Sequence, residues 1–263
     1  SWDHINVFET EEKYNQQFQV LLDGVEKAGA IIYNKEDALL AEMAERMSED
    51  ESLYVHEFNT PSYEISQEGY LIELEGEKKL VKVIGKHNMQ NICAAWKVCQ
   101  LVGIEIDDFL DFISDFQGAS SRLQLIHENG KQIIYKDFAH APAKVEATVK
   151  AVREKYEDHT LVACVELHTF SSLNHKFLPH YKSTLDSADH KIVFVDPHAT
   201  EKRKMKPIEH QDLINAFDDP SLVYVKNKED LLGALQKLDN GKEILLMMSS
   251  GNFGGLNWED LKK

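Results

Sequence analysis

Between residues 11 and 30 the apolar side chains Tyr14, Phe18, Leu21, Leu22 and Val25 recur at helical spacing, and the pattern stops near Gly29. The run AIIYN that follows is strand-like, so a helix feeds a strand. The step repeats: a helical stretch from Lys35 to Met47 precedes SLYVHEF, whose alternation and β-branched content suit a strand. Two such steps in succession predict a parallel pair. From Tyr63 to Val83 the segment YEISQEGYLIELEGEKKLVKV alternates and is punctuated by Gly69 and Gly76, which predicts antiparallel hairpin strands. Two helices come next, about Asn88 to Leu101 and Ile106 to Phe116, split at Gly103.

The rhythm changes near Gly118. Two strands joined by the turn ENGK occupy Leu123 to Ala139, and helix and strand then alternate to the last residue. The expected strands are IIYKDF, TLVACVEL, KIVFVD, LVYV and EILLMM, with helices beginning near Pro142, His175, Glu209 and Lys228. Strands apolar on both faces and separated by helices require a parallel sheet covered on both sides. The expectation is therefore an α/β chain in which residues 1–116 form one domain and residues 117–263 a Rossmann-like domain with a mainly parallel sheet.

Composition narrows the class of function. Forty-five acidic residues against 29 basic ones give a formal charge of −16, which repels a phosphodiester backbone, so nucleic-acid binding is disfavoured. No stretch approaches the roughly 18 uncharged apolar residues of a membrane span, and the first residues lack the basic start and apolar run of a signal peptide. The expectation is a cytoplasmic protein without membrane contact. Cys93, Cys99 and Cys164 are scattered, without CxxC spacing, and read as small apolar residues in a reduced compartment.

Candidate chemistry falls in five places. In GKHNMQN, Gly85 to Asn91, a strand ends and a helix opens; Asn88 and Asn91 sit three apart, so both amides can face one ligand, and an amide both donates and accepts as a purine edge requires. Capping by His87 or Asn88 beside a solvated Asn91 is the ordinary alternative. In KDFAHAP, Asp137 closes a buried strand and His140 lies in the loop before a helix that starts at Pro142, where open α/β sheets bind ligands. Asp137 accepting bonds from the helix N-terminus, with His140 as a cap, is the alternative there. ELHTFSSLNH, Glu166 to His175, gathers a carboxylate, imidazoles and hydroxyls at another strand end. SSGNFGG, Ser249 to Gly255, is a glycine-rich turn that permits close backbone approach without the GxGxxG spacing of a dinucleotide site. Asp3 and His4 open the chain in WDH. The remaining histidines show neither HxH nor HExxH spacing, so no all-protein metal cluster is expected from them.

Taken in order, these clusters resemble the Mur ligases, ATP-dependent amide-forming enzymes of peptidoglycan assembly. Their GxHNxxNxxAA pattern matches Gly85, His87, Asn88, Asn91, Ala94 and Ala95. Their FxGxxRR stretch matches Phe116, Gly118, Ser121 and Arg122, with Ser121 in place of the first arginine. Their D[YF]AHHP motif matches Asp137 to Pro142, with Ala141 in place of the second histidine. WDH resembles the family's DH pair. The muramate-recognising branch fits best: MSSGNFGG, Met248 to Gly255, is similar to the MSNGGFGG segment of murein peptide ligases. HTFSS, His168 to Ser172, resembles the HRYSR segment of the muramate–alanine ligases, with Thr169 and Ser172 in place of arginines and Leu167 in place of a proline.

The resemblance implies a reaction and a set of roles. ATP phosphorylates the carboxylate of UDP-N-acetylmuramate, and the amine of L-alanine or of a recycled tripeptide attacks the acyl phosphate, with Mg2+ neutralising charge. By the same resemblance Asn88 and Asn91 contact adenine, Arg122 the phosphates, Asp137 the ribose, His140 the nucleotide loop and His4 a magnesium ion, with Arg122 and Asp137 as the catalytic candidates. His168, Ser171, Ser250 and Asn252 face the amine substrate. The phosphate-binding pattern GxxxxGK[ST] is absent, so these 263 residues are expected to represent a ligase from the middle of its central domain onward and to be inactive alone. A non-catalytic α/β module binding a nucleotide or a protein is the competing expectation.

Overall fold

Contacts divide the chain, in a computed structural model that describes residues 2–66, 68–238 and 241–263, into two units. One comprises Trp2 with Phe8–Gln117; the other comprises Asp3–Val7 with Gly118–Lys263.

In the first unit α1 (Glu11–Asp23) starts at Thr10, whose hydroxyl accepts the Lys13 N–H, and none of its residues is buried. It leads into β1 (Ala30–Asn34), and α2 (Ala38–Met47) leads into β2 (Tyr54–Phe58). β1 and β2 pair in parallel, as the two helix-to-strand steps require. α2 begins three residues later than its apolar spacing suggests, because Asp37 accepts the N–H groups of Leu39 and Leu40 and so fixes the cap. β3 (Tyr63–Ile65), β4 (Tyr70–Leu74) and β5 (Glu77–Val81) form an antiparallel sheet. The β4–β5 turn places Glu75 and Gly76 at φ 53° and 90°, the left-handed pair that a two-residue hairpin needs. α3 (Lys86–Leu101) and α4 (Ile106–Ser114) complete the unit, α4 ending two residues short of Phe116. Met89, Ile92 and Trp96 of α3 are buried with Tyr70, Ile72 and Phe109, and the Trp96 and Phe109 rings lie 5.2 Å apart.

The second unit contains β6 (Gln124–Glu128), β7 (Gln132–Asp137), α5 (Pro142–Lys155), β8 (Thr160–Glu166), β9 (His190–Phe194), α6 (Pro197–Lys202), α7 (His210–Phe217), β10 (Val223–Val225), α8 (Lys228–Gln236) and β11 (Glu243–Met248). The six strands run in the order β10-β9-β8-β11-β7-β6, all parallel except β6, which pairs antiparallel with β7. The turn between β6 and β7 is closed by Asn129, whose Oδ1 accepts the Lys131 and Gln132 N–H groups. β11 is buried along its whole length and β8 along all but its first residue. Ile134, Val162, Cys164, Leu245 and Met247 pack with Leu231 and Leu235 of α8, so the alternate residues of these strands face the other side, where α5 packs on β8 and β11.

Two local expectations differ from the structure. The segment from His175 forms turns and a single 3-10 turn at Leu178–Tyr181, because Pro179 cannot donate within a longer helix. α6 goes beyond the apolar pattern; it rests on Asp196, which accepts the His198 N–H, and on Pro197 at its first position.

Near the edge of this sheet Lys191 Nζ lies 2.5 Å from Asp219 Oδ2, and Ser221 donates its N–H and hydroxyl to Asp219 Oδ1. Burial alone would raise the Asp219 carboxyl, but the bonds from Lys191 and Ser221 outweigh it and leave it below its ordinary value. A lowered carboxyl contributes stability that is complete above the unfolded value of about 3.9 and disappears as pH falls through the folded one. Wild-type protein is therefore expected to exceed D219N by about 1–2 kcal/mol in urea unfolding at pH 7, and the gap to narrow as pH falls below the unfolded value of about 3.9. A gap independent of pH contradicts this.

Candidate active site

β7 delivers Asp137 to its carboxyl end, where the side chain is 5% exposed and cross-links two backbone segments. Its Oδ2 accepts the Leu123 N–H at 2.6 Å, and its Oδ1 accepts the Ala139 N–H at 2.6 Å. The Phe138 N–H in turn donates to Ser121 O at 2.8 Å. These bonds hold a short segment in which Ser121 and Leu123, neither of them glycine, adopt φ of 56° and 45°. Arg122 lies between them, exposed, with its guanidinium carbon 5.1 Å from the centre of the Phe138 ring. Each Asp137 oxygen accepts one backbone N–H and keeps acceptor capacity for a further donor such as the expected ribose hydroxyl, so the same carboxylate can support the Arg122 segment and meet a ligand.

His140 is buried, and its Nδ1 pairs with Phe138 O at 2.9 Å; a carbonyl only accepts, so Nδ1 carries the proton. Nε2 faces Asp3 Oδ2 at 3.7 Å, and the Tyr181 hydroxyl donates to His140 O. Burial pushes the imidazole below its ordinary value, against the opposing influence of the Phe138 carbonyl and Asp3.

Asp3 is 5% exposed, and its Oδ2 is buried without a hydrogen-bond partner, 3.7 Å from both His140 Nε2 and His4 Nε2. An orphaned carboxylate oxygen beside an exposed imidazole fits a magnesium ion otherwise held by phosphate and water oxygens, which is how that cation is commonly bound. Among the described residues no group of three or more His, Cys, Asp or Glu side chains could hold a metal by itself. The sequence reading gives the magnesium to His4 and no role to Asp3, whose unpartnered oxygen lies beside that imidazole.

The ends of β8 and β11 bring the remaining candidates to the same edge of the sheet, because β11 lies between β7 and β8. After β8, Thr169 and Ser172 close on each other: Thr169 N–H donates to Ser172 Oγ at 3.0 Å and Ser172 N–H to Thr169 Oγ1 at 3.2 Å. The positions that carry arginines in the similar HRYSR segment hold hydroxyls spent on the turn. Ser171 is also buried, its Oγ accepting the Ile5 N–H at 3.2 Å, while His168 is half-buried. After β11, Asn252 is exposed and its Oδ1 accepts the Gly255 N–H at 3.1 Å; the Ser250 hydroxyl oxygen is buried without a partner.

Asn88 and Asn91 belong to the other unit, in the first turns of α3. The helix is capped by Gly85 at φ 92° and by no side chain, so the expected cap at His87 or Asn88 is not formed. Asn88 Nδ2 instead donates to Ile84 O at 2.9 Å, and Asn91 is exposed. That bond fixes the Asn88 amide while leaving its oxygen available to a donor.

Two family models match in succession: the Mur ligase middle domain over residues 1–99 and the Mur ligase glutamate ligase domain over residues 121–251. The chain belongs to the Mur ligase family. A UDP-N-acetylmuramate–L-alanine ligase of Aquifex aeolicus (strain VF5) is 22% identical over 273 aligned residues, covering 99% of this Mur ligase chain and 58% of the relative. Among solved structures, a murein peptide ligase from Psychrobacter arcticus 273-4 aligns with TM-score 0.61 and 18% identity over 94% of this chain and 53% of its own. A MurF ligase from Thermotoga maritima in complex with ADP aligns with TM-score 0.71 and 13% identity over 98% of this chain and 58% of its own. At such identities the structures establish a shared Mur ligase fold. The chain spans about half the length of the relatives it matches.

Proposed function

We propose that the chain serves an ATP-dependent ligase that joins UDP-N-acetylmuramate to the amine of a recycled murein tripeptide or of L-alanine through an acyl phosphate. The observation that carries this reading is the convergence of Asp137 with His140, the His168–Ser172 turn and the Ser249–Gly255 turn at the carboxyl ends of β7, β8 and β11, neighbours in one sheet.

ATP, when bound, supplies the transferable phosphoryl group, and magnesium offsets its charge. Arg122 meets the phosphates with a guanidinium that lies over the Phe138 ring, on a backbone segment that Asp137 anchors through the Leu123 N–H; Asp137 also meets the ribose. Asn88, anchored on the Ile84 carbonyl, and Asn91 meet the adenine edge. His140 lines the nucleotide loop, and His4 with Asp3 Oδ2 would hold the magnesium. His168, Ser171, Ser250 and Asn252 face the amine. The inward closure of Thr169 on Ser172 leaves no guanidinium in that turn for a free amino-acid carboxylate, which supports a peptide amine over alanine.

The 263 residues contain no GxxxxGK[ST] loop to cradle the β and γ phosphates, so the purified chain is expected to release no phosphate from ATP above an enzyme-free control. Turnover above that control contradicts the assignment of roles.

A further inference from the structure

Glu166 has no role in the reading above, yet its carboxylate lies against the glycine-rich turn after β11. It ends β8, is 5% exposed, and makes no ion pair among the described residues. A carboxylate so placed must be satisfied by hydrogen bonds. Its Oε2 accepts the Ser249 hydroxyl and, at 2.8 Å, the Phe253 N–H. Ser249 Oγ accepts the Gly251 N–H at 2.6 Å, so a single oxygen of Glu166 gathers residues 249, 251 and 253.

The fit is close on a second side. A Cβ at Gly251 would lie 2.8 Å from Glu166 Oε2 and 3.1 Å from its Cδ, so the turn backbone rests directly on the carboxyl group and a side chain there would force the two apart. Phe253 then takes φ 51°, and its ring is buried 5.7 Å from Phe194 in an edge-on contact. The left-handed residue is thus held from below by the carboxylate and from the side by the aromatic pair. What remains exposed is the face carrying Asn252, Gly254 and Gly255, with Gly251 half-buried beneath it.

We infer that Glu166 is the positioning residue of the Ser249–Gly255 turn: its carboxylate fixes the backbone that receives the incoming amine of the ligation, without itself touching substrate. The role toward the amine rests on the ligase reading; the role toward the turn does not.

The two are tested separately. Amide hydrogen exchange in the 263-residue chain reads the turn directly. E166A is expected to speed exchange at Gly251 and Phe253 by roughly 10- to 100-fold, the consequence of losing hydrogen bonds to a charged acceptor, while β8 amides stay protected. E166Q, whose amide oxygen can accept the same two bonds, is expected to restore protection to within a few-fold of wild type. Unchanged exchange in E166A, or E166Q as fast as E166A, overturns the proposal. If E166A fails to fold, G251A decides: its Cβ pushes the turn off an intact carboxylate, and it must show the same local acceleration or the proposal falls. In a longer, ligation-competent form of the protein, E166A is expected to raise the KM for the amine about tenfold, with the KM for ATP unchanged and E166Q rescuing. An equal rise in both KM values overturns the amine role. Local protection by Glu166 in a protein that ligates neither amine keeps the positioning and removes the ligase reading.

Discussion

Replacing Asp137 with alanine is expected to lower the unfolding free energy of the Gly118–Lys263 unit by about 3 kcal/mol, because it strands one buried and one half-buried backbone donor at about 1–3 kcal/mol each. The donors are Leu123 N–H and Ala139 N–H, both 2.6 Å from the carboxylate. Leu123 and Ser121 also lose the contact that holds their left-handed backbone, so the Arg122 segment relaxes along with the strand end. D137N keeps one acceptor and turns an amide group toward a donor, and is expected to cost about half as much. Urea unfolding at pH 7 measures both; a D137A midpoint shift worth less than about 1 kcal/mol contradicts the clamp.

Arg122 offers the complementary result. Its side chain is exposed, so R122A is expected to leave stability within about 0.5 kcal/mol of wild type. In a ligation-competent protein the same substitution is expected to reduce kcat by about 100- to 1,000-fold, the usual consequence of removing a charge that stabilises a transferring oxyanion. R122K keeps the charge but loses the planar fork over Phe138, and is expected to recover only part of the rate. The pair separates support from chemistry: D137A is expected to lose both stability and rate, R122A rate alone. An R122A enzyme with unaltered kcat removes Arg122 from the phosphates.

Most of this architecture is legible in the apolar pattern of the sequence. The run EILLMM and the run TLVACVEL read as strands of a sheet covered on both sides because both faces of each are apolar, and they are buried throughout or nearly so. The segment after His175 was misread for the converse reason: its apolar residues Phe177, Leu178 and Tyr181 are spaced as in a helix, but they reach the core from turns around Pro179. α6 was overlooked because six residues are too few for periodicity to register, although Asp196–Pro197 is a helix start in itself.

The site was legible as motifs and illegible as geometry. Asp137 and His140 stood at a strand end in the sequence, but nothing in their spacing shows that Asp137 binds Leu123 across 14 positions, or that Asp3 meets His140. Glu166 and Gly251 are 85 positions apart and touch only because β8 and β11 are adjacent in the sheet, an order the sequence does not state. Thr169 and Ser172 read as lost arginines; the structure adds that their hydroxyls close the turn.

The most direct test of the central claim is ligation itself, measured on the coding sequence extended upstream through a phosphate-binding loop. Purified protein, ATP, magnesium and UDP-N-acetylmuramate would be incubated with L-alanine and, separately, with the L-Ala-γ-D-Glu-diaminopimelate tripeptide, and the amide product and ADP quantified together. The account predicts ADP and amide in equal amounts, with the tripeptide preferred. The absence of product with either amine contradicts it and leaves a scaffold that binds without ligating.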